Sequence, residues 1–96
     1  MASGSDLEAL RRAIDEIDRQ LLELLARRMQ LALRVGDYKR ERELAVYDPE
    51  RERRVLERLV QEAPSPLTAE SVRRIFELLI DESRQAEQQH VDGEAG

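Results

Sequence analysis

Two cations break an otherwise apolar helical stripe in the N-terminal half of this 96-residue chain: Arg28, flanked by Leu24 and Leu31, and Lys39, eleven residues later. Eleven residues make three helical turns plus about 20°, so both cations lie on one face with Cα atoms about 16 Å apart. Two long side chains at that spacing can lean towards one small anion. A buried, unpaired guanidinium costs several kcal/mol, so Arg28 requires an anionic partner; snorkelling off the seam or pairing with a Glu would also satisfy it. Lys39 is the sole lysine beside 15 arginines, a bias that a GC-rich genome would also produce.

The other apolar stripes end in polar groups as well. Ser83 and Glu87 continue the spacing from Ile80 at i+3 and i+7, and Glu52 precedes Val55 and Leu56 by three and four residues. Taken one at a time, each reads as the solvated edge of a stripe. Taken together on three helices, two cations, two acids and a hydroxyl describe a polar pocket at the edge of a core. Its chemistry would be the positioning of an anionic ligand by charge. Other site chemistries find little support. With Cys 0, thiolate ligands and Cys nucleophiles are absent, and there is no metal-spacing cluster, Gly-rich phosphate loop or Ser-His-acid set. The single His90 falls in an expected tail and reads as solvated, so neither metal nor cofactor is expected.

Three helices must position these groups. Ser5-Asp6-Leu7-Glu8 reads as a capping box opening a first helix. Leu7, Leu10, Ile14, Ile17, Leu21, Leu24, position 28, Leu31, Val35 and Tyr38 then follow heptad spacing for more than four heptads. Gly36 interrupts helix propensity, but the pattern runs past it, so it reads as a close-packing point rather than a C-cap. A helix from 6 to about 42 would be roughly 55 Å long, whereas a compact globule of this size is only about 30 Å across. Dimerisation is the economical way to cover it. After a connector at 43–47, Asp48 caps a second helix with Pro49 at its first position, ending before Pro64-Ser65-Pro66. Thr68 caps a third, with Leu67 and Val72 set as a hydrophobic staple and an apolar face of Val72, Ile75, Phe76, Leu79 and Ile80. The expected organisation is a flexible N-terminus at 1–5, one all-α domain at 6–89 and a flexible tail at 90–96.

Composition narrows the classes. The chain is 41% hydrophobic and 39% charged, with Gly 4 and Pro 3, too few turn residues for a sandwich or barrel. A net charge of −5 argues against nonspecific binding to nucleic acid or anionic membranes. No apolar run approaches the ~20 residues of a membrane span and no signal-peptide core follows Met1; with the lack of cysteine, a cytoplasmic location is expected.

The set Leu10-Arg11, Ile14, Asp18, Leu21-Leu22, Leu24-Leu25, Arg28, Val35-Gly36, Lys39, Asp48 and Arg51-Glu52-Arg53, with Phe76 and Asp81-Glu82-Ser83 further on, resembles the chorismate mutases of the all-helical class. The resemblance covers residues 6 to 89. It implies an intertwined helical homodimer, paired through its long first helices, with two active sites shared between chains. It also implies conversion of chorismate to prephenate in the shikimate pathway of aromatic amino acid biosynthesis, by a Claisen rearrangement without cofactor or covalent intermediate. Position by position, Arg11, Arg28 and Lys39 would hold the two substrate carboxylates, and Lys39 would also reach the ether oxygen. Arg51 would be a basic residue of the pocket, Asp48 and Glu52 would contact the ring hydroxyl, and Ser83 would lie near a carboxylate. Glu87 falls where members carry Gln or Glu, a position that donates a hydrogen bond to the ether oxygen.

Elementary geometry fits a shared site. Arg11 and Arg28 are separated by 17 residues, about 25 Å along a straight helix and about 100° around it, too far to serve one small pocket from the same chain. An antiparallel second chain removes the conflict. Two alternatives share the pattern: an isochorismate pyruvate lyase of the same fold, which the Asp48-Arg51-Glu52 segment disfavours, and a non-catalytic helical dimerisation or regulatory domain. A partner or fused enzyme of the same pathway is also compatible with so small a chain.

Overall fold

A computed structural model describes residues 4–95, with side chains placed from 6 to 93. Among the described residues the chain is all helical: α1 (Gly4–Glu41), α2 (Pro49–Glu62) and α3 (Ala69–Ala95). The residues pack as two units, Met1–Gln30 and Leu31–Gly96.

The first unit is the N-terminal part of α1. Its heptad positions Leu7, Leu10, Ile14, Ile17, Leu21 and Leu24 are all exposed within the single chain, Leu10 at 64%. Its polar face carries one-turn ion pairs, Arg11–Glu8 at 3.2 Å and Arg19–Glu16 at 3.1 Å. Exposed pairs of this kind support the helix only weakly, at about 0.2–0.5 kcal/mol each.

The second unit contains the remainder of α1 with α2 and α3. Here α1 continues through Gly36 to Glu41, as the heptad pattern requires. A Cβ at Gly36 would lie 3.5 Å from Val91 Cγ2 and 3.6 Å from the Glu87 carbonyl oxygen, so α3 passes close to the α1 backbone at this point. The helix then stops without a glycine. The Leu44 amide donates to the Lys39 carbonyl (2.8 Å), the Glu43 amide donates to that of Arg40 (3.2 Å), and Glu43 adopts φ 55°. This is a Schellman cap with an ordinary residue in the left-handed region, at a cost of about 1–2 kcal/mol that the surrounding contacts must offset.

The two later helices start where their caps dictate. Asp48 Oδ1 accepts from the Arg51 amide (3.1 Å) with Pro49 at the first turn, and Thr68 Oγ1 accepts from the Ser71 amide (3.0 Å). Ala63 closes α2 in an extended conformation, as expected for a residue before proline. On α2, Arg53 pairs with Glu50 and Glu57. Its hydrogen bond and then its charge hold the exposed Glu50 carboxyl below the usual carboxylate range. Val55 of α2, Val72 and Ile80 of α3, Ala32 of α1 and Val46 of the connector are buried and form the small core.

Helix α3 does not fray at residue 89 but continues to Ala95, and His90 Nε2 lies 2.8 Å from Asp37 Oδ1 of α1. A tertiary partner therefore keeps in the helix a residue that sequence alone placed in solvent. At the other end α1 is already formed at Gly4, within the segment 1–5 expected to be flexible; residues 1–3 and 96 lie outside the described residues, as does the Ser5 side chain of the expected capping box.

Candidate active site

The Schellman turn at the end of α1 fixes Lys39 from two directions. Its carbonyl caps the helix, and its Nζ donates to the Val46 carbonyl at 2.7 Å, holding the connector back against the helix. The same nitrogen lies 4.0 Å from Glu87 Oε2. Both side chains are largely enclosed, Lys39 at 19% exposure and Glu87 at 14%. An ammonium has three donors, so one engaged by Val46 leaves two for Glu87 and a ligand. The close pass of α3 at Gly36 sets this meeting, because the Glu87 backbone is the segment that lies against the glycine.

A second polar cluster joins α2 to α3. Arg84 Nη1 donates to both oxygens of Glu52, at 2.7 and 3.0 Å, while its other amino group donates to Asp81 one turn back. The guanidinium carbon sits 4.9 Å from the Tyr47 ring centroid, a cation–π distance. The Glu52 hydrogen bond is the largest influence on Arg84 and raises its pKa, against the smaller opposing effect of burial.

The remaining expected residues take simpler positions. Ser83 is buried, and its Oγ donates to the Leu79 carbonyl of its own helix at 2.8 Å. Asp48 is the cap of α2, so its carboxylate is held at the helix start, with Arg51 and Glu52 in the first turn after it and Arg51 exposed. Arg28 is half-buried on α1. Arg11 is exposed and pairs with Glu8. The structure thus brings Lys39 to Glu87 and sets Asp48, Arg51 and Glu52 on one helix start. Sequence reasoning missed Arg84, although it stands four residues after Ile80 beside Ser83. It also missed the Val46 carbonyl, which no side-chain pattern announces. Among the described residues no group of three or more His, Cys, Asp or Glu could hold a metal ion, and no helix is long and apolar enough to cross a membrane.

The same helical fold occurs in solved chorismate mutases. The form II structure from Thermus thermophilus superposes with a TM-score of 0.84 at 34% identity, covering 86% of this chain and 94% of that one. The Helicobacter pylori chorismate mutase, solved in complex with prephenate, gives a TM-score of 0.84 at 32% identity over 92% of this chain and 96% of its own. Residues 10–88 match the family model for chorismate mutase type II, and the chain belongs to that family.

Among curated relatives, the chorismate mutase of Methanocaldococcus jannaschii is 31% identical over 87 residues, covering 90% of this chain and 88% of that protein. The bifunctional chorismate mutase/prephenate dehydratase of Escherichia coli is 42% identical over 84 residues, which is 86% of this chain but only 22% of that protein. The chain therefore spans about a fifth of the length of the bifunctional relatives it matches.

Proposed function

We propose that this chain catalyses the rearrangement of chorismate to prephenate as a homodimer with two shared active sites, in aromatic amino acid biosynthesis. The enclosed Lys39–Glu87 pair is the observation that carries this reading. A pericyclic reaction needs no base or nucleophile. It needs a flexible substrate held in a reactive conformation and donors placed where negative charge grows as the ether bond breaks. Lys39 offers a compact ammonium, already oriented by Val46, for the ether oxygen and a neighbouring carboxylate. Glu87 offers a second donor to the same oxygen when its carboxyl is protonated. Arg28, and Arg11 of the partner subunit, hold the two substrate carboxylates, for which planar guanidiniums are suited. Asp48 and Glu52 receive the ring hydroxyl, Arg51 contributes positive charge, and Ser83 lies near a carboxylate.

The exposed heptad face supports the dimer. The nine apolar side chains of the heptad stripe from Leu7 to Tyr38 each remain at least 44% exposed in the single chain. Fully burying a side chain of this size contributes about 1.5–3 kcal/mol, so a second copy laid along the stripe gains much of what one chain lacks. The bifunctional relatives join a chorismate mutase to a prephenate dehydratase. Passing the product to a prephenate-consuming enzyme, fused or separate, belongs to the same proposal, as does a cytoplasmic location.

The deciding experiment supplies purified protein with chorismate and, separately, with isochorismate, and identifies the products. Prephenate from chorismate supports the proposal. Pyruvate and salicylate from isochorismate without prephenate from chorismate would replace it with the lyase, and inertness towards both would leave a helical dimerisation module.

A further inference from the structure

The cluster around Arg84 contains more than a link between two helices. Arg84 is held from three sides: Asp81 on its own helix, the Tyr47 ring of the connector, and Glu52 of α2. A guanidinium restrained in this way has little rotamer freedom, so it fixes the carboxylate opposite it. One amino group spans both Glu52 oxygens at 2.7 and 3.0 Å. A carboxylate has about four acceptor positions, so two directions remain for another donor. The pair is not sealed, with Arg84 at 32% and Glu52 at 24% exposure, and a ligand can reach it.

Charge gives the arrangement a second consequence. A lone Glu52 in a pocket for a dicarboxylate would repel the substrate it must recognise. Arg84, shared with Asp81, offsets part of that repulsion while leaving Glu52 able to accept a hydrogen bond.

We infer that Arg84 is a positioning residue that aims Glu52 and offsets part of its charge, so that the carboxylate accepts the ring hydroxyl of the dianionic substrate with less repulsion. This rests on the chorismate mutase reading and on the hydroxyl contact assigned to Glu52. It makes Arg84 a determinant of specificity for the hydroxylated ring, acting through Glu52 without touching the substrate.

The test is a double-mutant cycle of Arg84→Met and Glu52→Leu, read as kcat/KM for chorismate and for an analogue with hydrogen in place of the ring hydroxyl. Arg84→Met should lower kcat/KM for chorismate about tenfold, mainly through KM, and affect the analogue far less, so the preference between them narrows. Arg84→Lys, which keeps a cation beside Glu52, should recover part of the loss, and it carries the cycle if the Met variant fails to fold. The double variant should discriminate no worse than Glu52→Leu alone. A narrowed preference in Glu52→Leu with independent, additive losses in the double variant would overturn the role of Arg84 and leave that of Glu52 standing. An unchanged preference in Glu52→Leu, whose side chain has no acceptor, would overturn the hydroxyl contact, and the inference with it. Equal losses for both substrates in the Arg84 variants would show a structural link only.

Discussion

At the scale of single residues, the proposed reaction assigns Lys39 and Glu87 one task divided by charge type. Lys39→Ala should lower turnover by roughly 10²–10³, the scale for losing one preorganised donor at a developing oxyanion. Lys39→Arg should also be poor, because a planar fork cannot both satisfy the Val46 carbonyl at 2.7 Å and present a compact charge to the ether oxygen. Steady-state kinetics on folded variants check both, and turnover like that of the unmodified protein in either would remove Lys39 from the chemistry. Glu87 makes a different prediction, because a carboxyl group donates a hydrogen bond only when protonated. Catalytic efficiency should therefore fall wherever rising pH removes the proton from this carboxyl. Glu87→Gln keeps a permanent donor of nearly the same shape and should flatten the profile, preserving activity at neutral pH and above. Profiles for the two proteins from mildly acidic to mildly alkaline pH make the comparison; matching curves would mean that Glu87 is not the ether-oxygen donor.

At the scale of elements, Gly36 governs how α3 meets α1. A Cβ at this position would find ordinary contact distances, 3.5 Å to Val91 and 3.6 Å to the Glu87 carbonyl, so one carbon fits. Gly36→Ala should keep activity and stabilise α1 by up to about 1 kcal/mol through helix propensity. Gly36→Leu must displace Val91 or the Glu87 backbone, and should lower both the melting temperature and kcat/KM. Thermal melts and kinetics on the two variants distinguish these outcomes, and equal behaviour would mean that the close pass has no bearing on the site. The same elements show what the sequence could reveal. Helix starts were legible because Asp48-Pro49 and Thr68 are local signals acting on backbone amides within one turn. The passage of α1 through Gly36 was legible because periodicity outweighs one glycine. The extent of α3 was not, since His90 is retained by Asp37, 53 residues away. Arg84 escaped notice for the same reason, its partner Glu52 being 32 residues away. Of the site, Lys39 and Glu87 stood out as polar breaks in apolar stripes, whereas the connector carbonyl that orients Lys39 belongs to the backbone and leaves no trace in residue types.

At the scale of the whole molecule, the long exposed stripe on α1 is what the proposed dimer would cover. Sedimentation at micromolar concentration should give about twice the chain mass of 11.1 kDa, and a folded, active monomer would sink both the dimer and the shared sites. Complementation tests the sharing directly: chains carrying only Arg11→Ala are mixed with chains carrying only Arg28→Ala. A heterodimer then has one site with both defects and one intact site, so activity should partly return, and no recovery despite proven subunit exchange would exclude a trans Arg11. The exposed stripe has one more consequence, which concerns dilution. A protein that completes its core and its sites by pairing has a stability that depends on its own concentration through mass action. Its melting temperature rises with each increment of protein, and below the dissociation constant its specific activity falls with dilution. Under such coupling, doubling the amount of chain in a dilute compartment more than doubles the flux it supports.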